Sequence, residues 1–232
     1  GACGVIQQPN VFYMGVNNGG VWKTDDFGRT WKPVFDANET GSVGDVEVAA
    51  SNPDVVYVGS GEGIQRPDLS VGDGVYKSTD AGKTWTNMGL HDAQQIGGID
   101  IDPKDENRVF VAALGHPYGP NKERGVYRTL DGGKTWKQVL YIDENTGAIQ
   151  VGIDPKNPNV IYADMWAGRQ GPWENGQWNG KESGLFKSID GGDTWKKLTN
   201  GLPTTAEGLG RIGFGIAPSD PNRLYATVDA GE

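Results

Sequence analysis

The stretch Thr129-Leu130-Asp131-Gly132-Gly133-Lys134-Thr135-Trp136 decides the fold, because variants of it occur four times along the chain. All four fit the pattern Ser/Thr-x-Asp-x-Gly-x-Thr-Trp, and the other copies are residues 24–31, 78–85 and 188–195. Successive copies start 54, 51 and 59 residues apart. A short motif that returns at such near-regular spacing indicates a repeat architecture.

Each copy of the motif follows a short run in which apolar and polar residues alternate, as in Gly125-Val126-Tyr127-Arg128. Alternation of this kind predicts a strand with one buried face. We expect the motif Asp to bond backbone amides two residues further on, and the motif Gly to supply a positive φ. The motif therefore predicts a tight hairpin turn, with its Trp starting the next strand.

Two further strands are predicted before each hairpin. A Gly- and Ile/Val-rich run comes first, then a Pro/Asn/Asp turn, then a second β-rich run. At the start of the chain the same scheme predicts strand 2–6, a turn at Gln8-Pro9-Asn10 and strand 11–16. The first runs are 43–50, 96–101, 148–153 and 211–217, and the second runs are 55–58, 109–113, 160–164 and 224–228. Four short antiparallel strands per repeat, without a convincing helix, predict an all-β β-propeller.

The repeat spacing predicts one partial propeller over residues 1–232. Its blades are about 1–36, 43–88, 96–140 and 148–198, followed by a half blade at 211–228. Open blade edges invite pairing. We therefore expect the remainder of the propeller, or another subunit, to complete the arc, and the isolated chain to associate or unfold in sedimentation.

Composition excludes several classes of protein. Glycine accounts for 37 of the 232 residues, about twice its usual share, which fits many turns. The net charge of −9 without a basic cluster argues against nucleic acid as a partner. The single cysteine, Cys3, excludes a disulfide framework and a Cys-based zinc cluster. We expect no cofactor and no metal. We also expect no membrane span, because no apolar run approaches about 20 residues.

The two chain ends resemble the edges of a processed or partial chain, since residue 1 is Gly and no signal peptide is visible. Cys3 falls in a predicted inner strand, which favours a buried thiol. A lipid-anchor Cys is the alternative, with residue 3 as the mature start.

The repeated octet resembles the Asp box, or bacterial neuraminidase repeat, of sialidases, family 74 glycoside hydrolases and sortilin-type propellers. The wider sequence, as in Gly59-Ser60-Gly61-Glu62-Gly63, resembles a large bacterial group of sortilin-like repeat proteins, most of them exported. The resemblance implies a bacterial protein that is secreted, periplasmic or on the cell surface. It also implies structural roles for the motif residues Asp26, Asp80, Asp131, Asp190, Trp31, Trp85, Trp136 and Trp195.

Three long loops, 59–73, 114–124 and 166–183, are expected on the propeller face opposite the Asp-box turns. Long loops on a rigid scaffold are where binding residues usually lie. The first loop holds Glu62, Arg66 and Asp68, and Glu62 either points at the central channel or is a solvated loop acid. The second loop offers His116 and Tyr118 as ligand contacts.

The third loop combines three Trp with polar residues, so its aromatic rings either pack within the loops or stack on a sugar. Its candidates for ligand contact are Arg169, Trp173 and Trp178, and Glu174 is a candidate acid. Arg211 begins a first strand at the same face. It is either a ligand contact or the partner of Glu207 in a structural ion pair.

Two functions remain after comparison with the related enzymes. Sialidases use a Phe-Arg-Ile-Pro-type segment, which is absent. Family 74 hydrolases place one catalytic carboxylate in an Asp-x-Gly-Gly segment, but the matching residues here are Asn17-Asn18-Gly19-Gly20, and Asn cannot take up a proton. The first function is an exported binding or scaffold module for a carbohydrate or peptide. The alternative is a glycoside hydrolase that uses Glu62, Asp68 or Glu174, or carboxylates outside the chain.

Overall fold

The computed structural model describes residues 1–63, 69–171 and 176–231, and these ranges are almost entirely β-structure. Antiparallel strands form four four-stranded sheets and one two-stranded sheet. Blade 1 comprises β1 (Ala2–Val5), β2 (Gln8–Val16), β3 (Gly20–Thr24) and β4 (Lys32–Pro33). Blade 2 comprises β5 (Val43–Val48), β6 (Val56–Ser60), β7 (Val75–Ser78) and β8 (Thr86–Asn87).

The remaining sheets repeat this order of strands. Blade 3 comprises β9 (Ile96–Ile101), β10 (Val109–Ala113), β11 (Gly125–Thr129) and β12 (Lys137–Leu140). Blade 4 comprises β13 (Gly147–Ile153), β14 (Ile161–Trp166), β15 (Gly184–Ser188) and β16 (Lys196–Lys197). The half blade comprises β17 (Ile212–Ile216) and β18 (Leu224–Val228).

Two single-turn 3-10 helices occur among the residues that the structure describes, His91–Ala93 and Thr205–Glu207, and both lie in links between blades. They are too short for the sequence pattern to reveal. No helix among the described residues has the length and apolar character needed to cross a lipid bilayer.

The first strands of successive sheets lie side by side, in the order β1, β5, β9, β13 and β17. Glycine permits this close approach. A Cβ atom on Gly44 would lie only 1.9 Å from the carbonyl oxygen of Ile96, and one on Gly97 would lie 2.4 Å from that of Ile149. The sheets are therefore consecutive blades around a central channel, and the prediction of an all-β partial propeller is confirmed.

The apolar core lies between neighbouring blades rather than within one of them. Valines of β5 and β6 pack with residues of blade 1, and Ile96 and Ile99 of β9 pack with residues of blade 2. Burial of one such side chain stabilises the fold by about 1.5–3 kcal/mol. The indoles of Trp85 and Trp136 are half-buried and donate to the preceding blade, at the carbonyls of Val34 (2.7 Å) and Met88 (2.8 Å).

In blades 1 to 3 a basic residue in the third strand joins the blade to the Asp-box turn of the next. In blades 1 and 2 the Lys ammonium also lies over the ring of a second-strand Tyr, 5.1 Å and 5.0 Å from the ring centroid. These contacts hold the turns of adjacent blades together. The donor–acceptor pairs are Lys23 to Ala81 O (2.9 Å), Lys77 to Gly132 O (3.3 Å) and Arg128 to Gly191 O (2.6 Å).

The four Asp-box turns share one hydrogen-bond pattern. In the first, Asp26 accepts bonds from the Thr30 amide (2.9 Å), the Thr30 hydroxyl (2.7 Å) and the Thr24 hydroxyl (2.8 Å). The Asp carboxylate therefore bonds the amide four residues ahead rather than the one two residues ahead, because the Gly28 amide donates to the Thr24 hydroxyl instead (2.9 Å). The equivalent acids are Asp80, Asp131 and Asp190.

The start of β2 differs from the prediction. The turn expected at Gln8-Pro9-Asn10 lies earlier, because β2 begins at Gln8. Pro9 has no register partner in either neighbouring strand, so its missing N–H costs no ladder hydrogen bond. Cys3 lies in β1 as expected and is half-buried, and burial raises the pKa of its thiol.

The half blade has an open edge. Among the described residues β18 pairs only with β17, and the Tyr225 side chain is 69% exposed. The described sheets thus form an arc and not a closed ring.

Candidate functional site

The long loops lie at one end of the sheets, opposite the Asp-box turns, and we call this end the upper face. The antiparallel strand order dictates this arrangement, since each second strand ends where the link from the previous blade enters. The described parts of these loops run from β6 to β7, from β10 to β11 and from β14 to β15.

A cavity of about 320 Å³ opens at the centre of the upper face, where the first strands converge. Backbone forms much of its wall, because glycines from several blades line it. Three longer polar side chains, Asn17, Gln150 and Arg211, also line the cavity. It can accept hydrogen-bonding groups, but it offers no carboxylate from the described residues that line it.

Glu62 lies beside this cavity but is enclosed, with 0% of its surface exposed. Its carboxylate accepts hydrogen bonds from Asn17 Nδ2 (3.2 Å), Ser42 Oγ (3.4 Å) and the Ser70 amide (3.5 Å). Its backbone amide donates to Gln95 Oε1. Glu62 is therefore not a solvated loop acid, and these contacts cover its carboxylate. Asn17, at the position of the family 74 Asp, serves as one of its donors.

The second upper loop separates its two candidate ligand contacts. His116 is half-buried and its carbonyl oxygen accepts from Asn121 Nδ2 at 2.8 Å, whereas the Tyr118 side chain is 52% exposed. No group of three metal-ligating side chains occurs in the described part of the chain, around His116 or elsewhere. Instead His91 Nδ1 pairs with Asp73 Oδ1 at 2.6 Å.

The third upper loop presents a supported aromatic ring. Trp166 is buried, and its ring stacks on that of Trp178 with centroids 6.3 Å apart and planes 26° apart. The Trp166 indole also donates to the Trp178 carbonyl at 2.7 Å. Trp178 remains 42% exposed. Packing and exposure thus occur together, with one Trp packed in the loop and a second held against it.

A backbone hydrogen bond joins the second and third loops, and two more close the third loop on itself. Arg169 and Gln177 exchange a pair of amide–carbonyl bonds of 2.9 and 2.7 Å, and the Gln170 amide donates to the Pro117 carbonyl at 2.9 Å. The Arg169 side chain is half-buried and contacts Asn145 Oδ1. Tyr118 and Trp178 consequently project from two loops that are tied to each other.

The ion pair with Glu207, one of the two roles considered for Arg211, does not form. Glu207 caps its own helical turn, accepting from the Thr204 amide and hydroxyl at 2.6 Å each. These bonds lower the pKa of Glu207. Arg211 is exposed at the rim of the central cavity. Asp164, near Arg211, accepts from the Ile212 amide at 2.9 Å, and burial raises its pKa well above the usual value.

Four predicted site residues, Arg66, Asp68, Trp173 and Glu174, lie outside the described residues. Two features were not predicted. The His91–Asp73 pair joins residues 18 positions apart, and Arg124 is a fully buried cation under the upper loops. The available signal for Arg124 was a charged residue directly before the buried start of a third strand, Gly125-Val126.

Comparisons with known proteins agree with this fold. A family model described as "Sortilin-Vps10: Sortilin, neurotensin receptor 3" matches residues 73–231. A xyloglucanase from Paenibacillus sp is 25% identical over 185 residues, covering 74% of this chain and 16% of that protein. Xyloglucanase Xgh74A of Acetivibrio thermocellus is 24% identical over 229 residues, covering 82% of this chain and 24% of that protein. The chain thus spans a quarter or less of the length of these two curated relatives.

Solved structures give the same architecture. An ancestral GH74 enzyme superposes with a TM-score of 0.70 at 22% identity, covering 100% of this chain and 27% of that enzyme. The GH74 enzyme of Niastella koreensis gives a TM-score of 0.64 at 22% identity, covering 94% of this chain and 32% of that enzyme. At this identity the likeness concerns the fold alone.

Proposed function

This chain belongs to the Sortilin-Vps10 family, and from that premise we propose that it is part of an exported β-propeller that binds a carbohydrate chain on its upper face. The relatives named xyloglucanase suggest xyloglucan as the ligand. An exported protein of this kind would be secreted, periplasmic or on the cell surface.

The stacked pair of Trp166 and Trp178 carries the proposal. A sugar ring is apolar on its faces and hydroxylated at its edges, so it suits a rigid aromatic face flanked by amides. Trp178 has such a face, fixed by the buried ring behind it, and Gln177 and Asn179 flank it in the sequence. Exposing a large ring on a supported platform costs solvation free energy that a stacked ligand would recover.

The surroundings of the carboxylate of Glu62 favour binding without hydrolysis. A general acid or base must come within hydrogen-bond reach of the proton it transfers. Glu62 is enclosed by Asn17, Ser42 and Ser70, and Asn17 cannot act as a base itself. The alternative remains a glycoside hydrolase that uses Asp68, Glu174 or carboxylates outside this chain.

The test is substitution of the platform ring. Trp178→Ala should weaken binding of xyloglucan oligosaccharides by about tenfold or more in isothermal titration calorimetry, since stacked aromatic anchors carry much of a binding free energy. Ile189→Ala is the matched control, because Ile189 is an exposed apolar residue of the same blade at the opposite face. If both variants bind like the wild type, the platform is not the binding site.

A further inference from the structure

Arg124 is a large side chain with 0% of its surface exposed, placed just before β11 at the end of the second upper loop. Its guanidinium donates only to backbone carbonyls in the described part of the chain. Nη1 reaches Asn145 O (3.2 Å) and Gly168 O (2.9 Å), and Nη2 reaches His116 O (3.3 Å) and Gly119 O (3.5 Å).

These four carbonyls belong to three separate segments of the upper face. His116 and Gly119 lie in the second loop, Asn145 lies in the link between blades 3 and 4, and Gly168 lies in the third loop, two residues after Trp166. A planar guanidinium has five N–H donors in a fixed fork, so one Arg can join several acceptors where Lys has only a single nitrogen. Arg124 therefore joins the second and third upper loops through one guanidinium group.

This arrangement is costly for stability. Burying a charge without an opposite charge is unfavourable, and hydrogen bonds to carbonyls offset that only in part. Burial, assisted by the nearby charge of Arg169 and opposed by Asp143, lowers the pKa of Arg124 to about 10. No carboxylate among the described residues accepts a hydrogen bond from Arg124. Arg108, by contrast, lies between the same two blades near the Asp-box face and pairs with Asp102 at 2.7 Å.

Several buried polar atoms around Arg124 lack a hydrogen-bond partner. Three buried oxygens, Asn121 Oδ1, Thr146 Oγ1 and Gln170 Oε1, and the Nε of Arg124 itself have no partner among the described residues. The bond from the Gln170 amide to the Pro117 carbonyl also joins the two loops, but it fixes one point of each, whereas the guanidinium holds several carbonyls at once.

We propose that Arg124 is a positioning residue, which holds the second and third upper loops in the arrangement that presents Tyr118 and Trp178 to a carbohydrate chain. The inference rests on the proposed function for the ligand. The loop-clamping part of it stands on the hydrogen bonds of Arg124 alone.

The experiment compares Arg124→Lys with Arg108→Lys in the full chain. Both substitutions keep the positive charge and remove a guanidinium that hydrogen-bonds blades 3 and 4 together. Both should therefore lower the unfolding temperature. Only Arg124→Lys should weaken xyloglucan oligosaccharide binding, by about tenfold, a loss of about 1.4 kcal/mol. Arg108→Lys should bind within about twofold of the wild type, since its contacts are Asp102, Pro158 and Gly191 near the Asp-box face.

Amide hydrogen exchange without ligand gives the independent readout. In Arg124→Lys the amides of Gln170 and Gln177 should exchange faster while those of β10 and β14 do not change. In Arg108→Lys the increase should fall instead around Gly191. If the wild type binds no oligosaccharide but the exchange pattern holds, the proposed function fails and the clamp stands. If Arg124→Lys changes neither affinity nor loop exchange relative to Arg108→Lys, the positioning role is wrong.

Discussion

Asp25 and Asp26 are neighbours in the first Asp-box turn, yet their carboxylates have very different surroundings. Asp26 accepts three hydrogen bonds from Thr24 and Thr30, which lower its pKa to about 2. Asp25 is exposed and its one ion pair, with Lys32, is long at 3.5 Å. The hydrogen bonds of Asp26 rather than its charge therefore make it structural.

Asp26→Asn should lower the unfolding temperature more than Asp25→Asn, although both remove one negative charge. A carboxyl whose folded pKa is depressed stabilises the fold above its ordinary pKa near 4, and this contribution is lost as pH falls through about 2. Thermal unfolding at pH 7, 4 and 2 checks this, because the gap between the variants should shrink over the last interval. Equal unfolding temperatures at pH 7 would contradict a structural role for Asp26.

At this scale the sequence predicts local chemistry better than distant contacts. The Asp-box bonds join residues two to four positions apart, so the motif could reveal the turn itself. The surroundings of Glu62 and Arg124 could not be predicted, because their partners come from loops up to 45 and 44 positions away. The ion pair considered between Arg211 and Glu207 does not form because of a local contact. Glu207 accepts from Thr204, which is only three residues away in the sequence.

Among the elements, the first strands of the blades carry a row of half-buried acids between neighbouring blades. Asp45 of β5 accepts from the Ile99 amide at 2.9 Å, and Asp100 of β9 accepts from the Ile153 amide at 2.7 Å, so each acid bonds the next blade. Burial and the neighbouring carboxylates raise the pKa of Glu47 to about 8, and burial raises that of Asp100 to about 7. Alternation in sequence predicted strands at these positions. The alternation did not show that the polar face of a first strand packs against the next blade and not against solvent.

These acids should make the propeller less stable as pH rises from about 5 to 8. When the folded pKa exceeds the unfolded one, the folded state binds more protons in this window, so the free energy of unfolding falls with pH. Glu47→Gln should remove part of that loss, on the order of 2 kcal/mol at pH 8, and should change little at pH 5. Urea unfolding at both pH values checks it, with exposed Glu144→Gln as the control. A wild-type stability that rises towards pH 8 would contradict this account.

For the whole molecule, the described residues make an arc of four complete blades and a half blade, with the stacked rings of Trp166 and Trp178 on one face. Repeat spacing and turn chemistry were enough to predict the fold, since each blade uses the same local pattern. The upper face varies from blade to blade, so nothing in the repeat could indicate that Trp166 would support Trp178 or that Arg124 would join the loops beneath them.

We propose that this propeller binds a xyloglucan chain without cleaving it. The most direct measurement is isothermal titration of the purified chain with xyloglucan oligosaccharides, with the same samples analysed afterwards for newly formed reducing ends. The account predicts saturable binding and no increase in reducing ends. The absence of binding at millimolar oligosaccharide, or the release of shorter products, would contradict it.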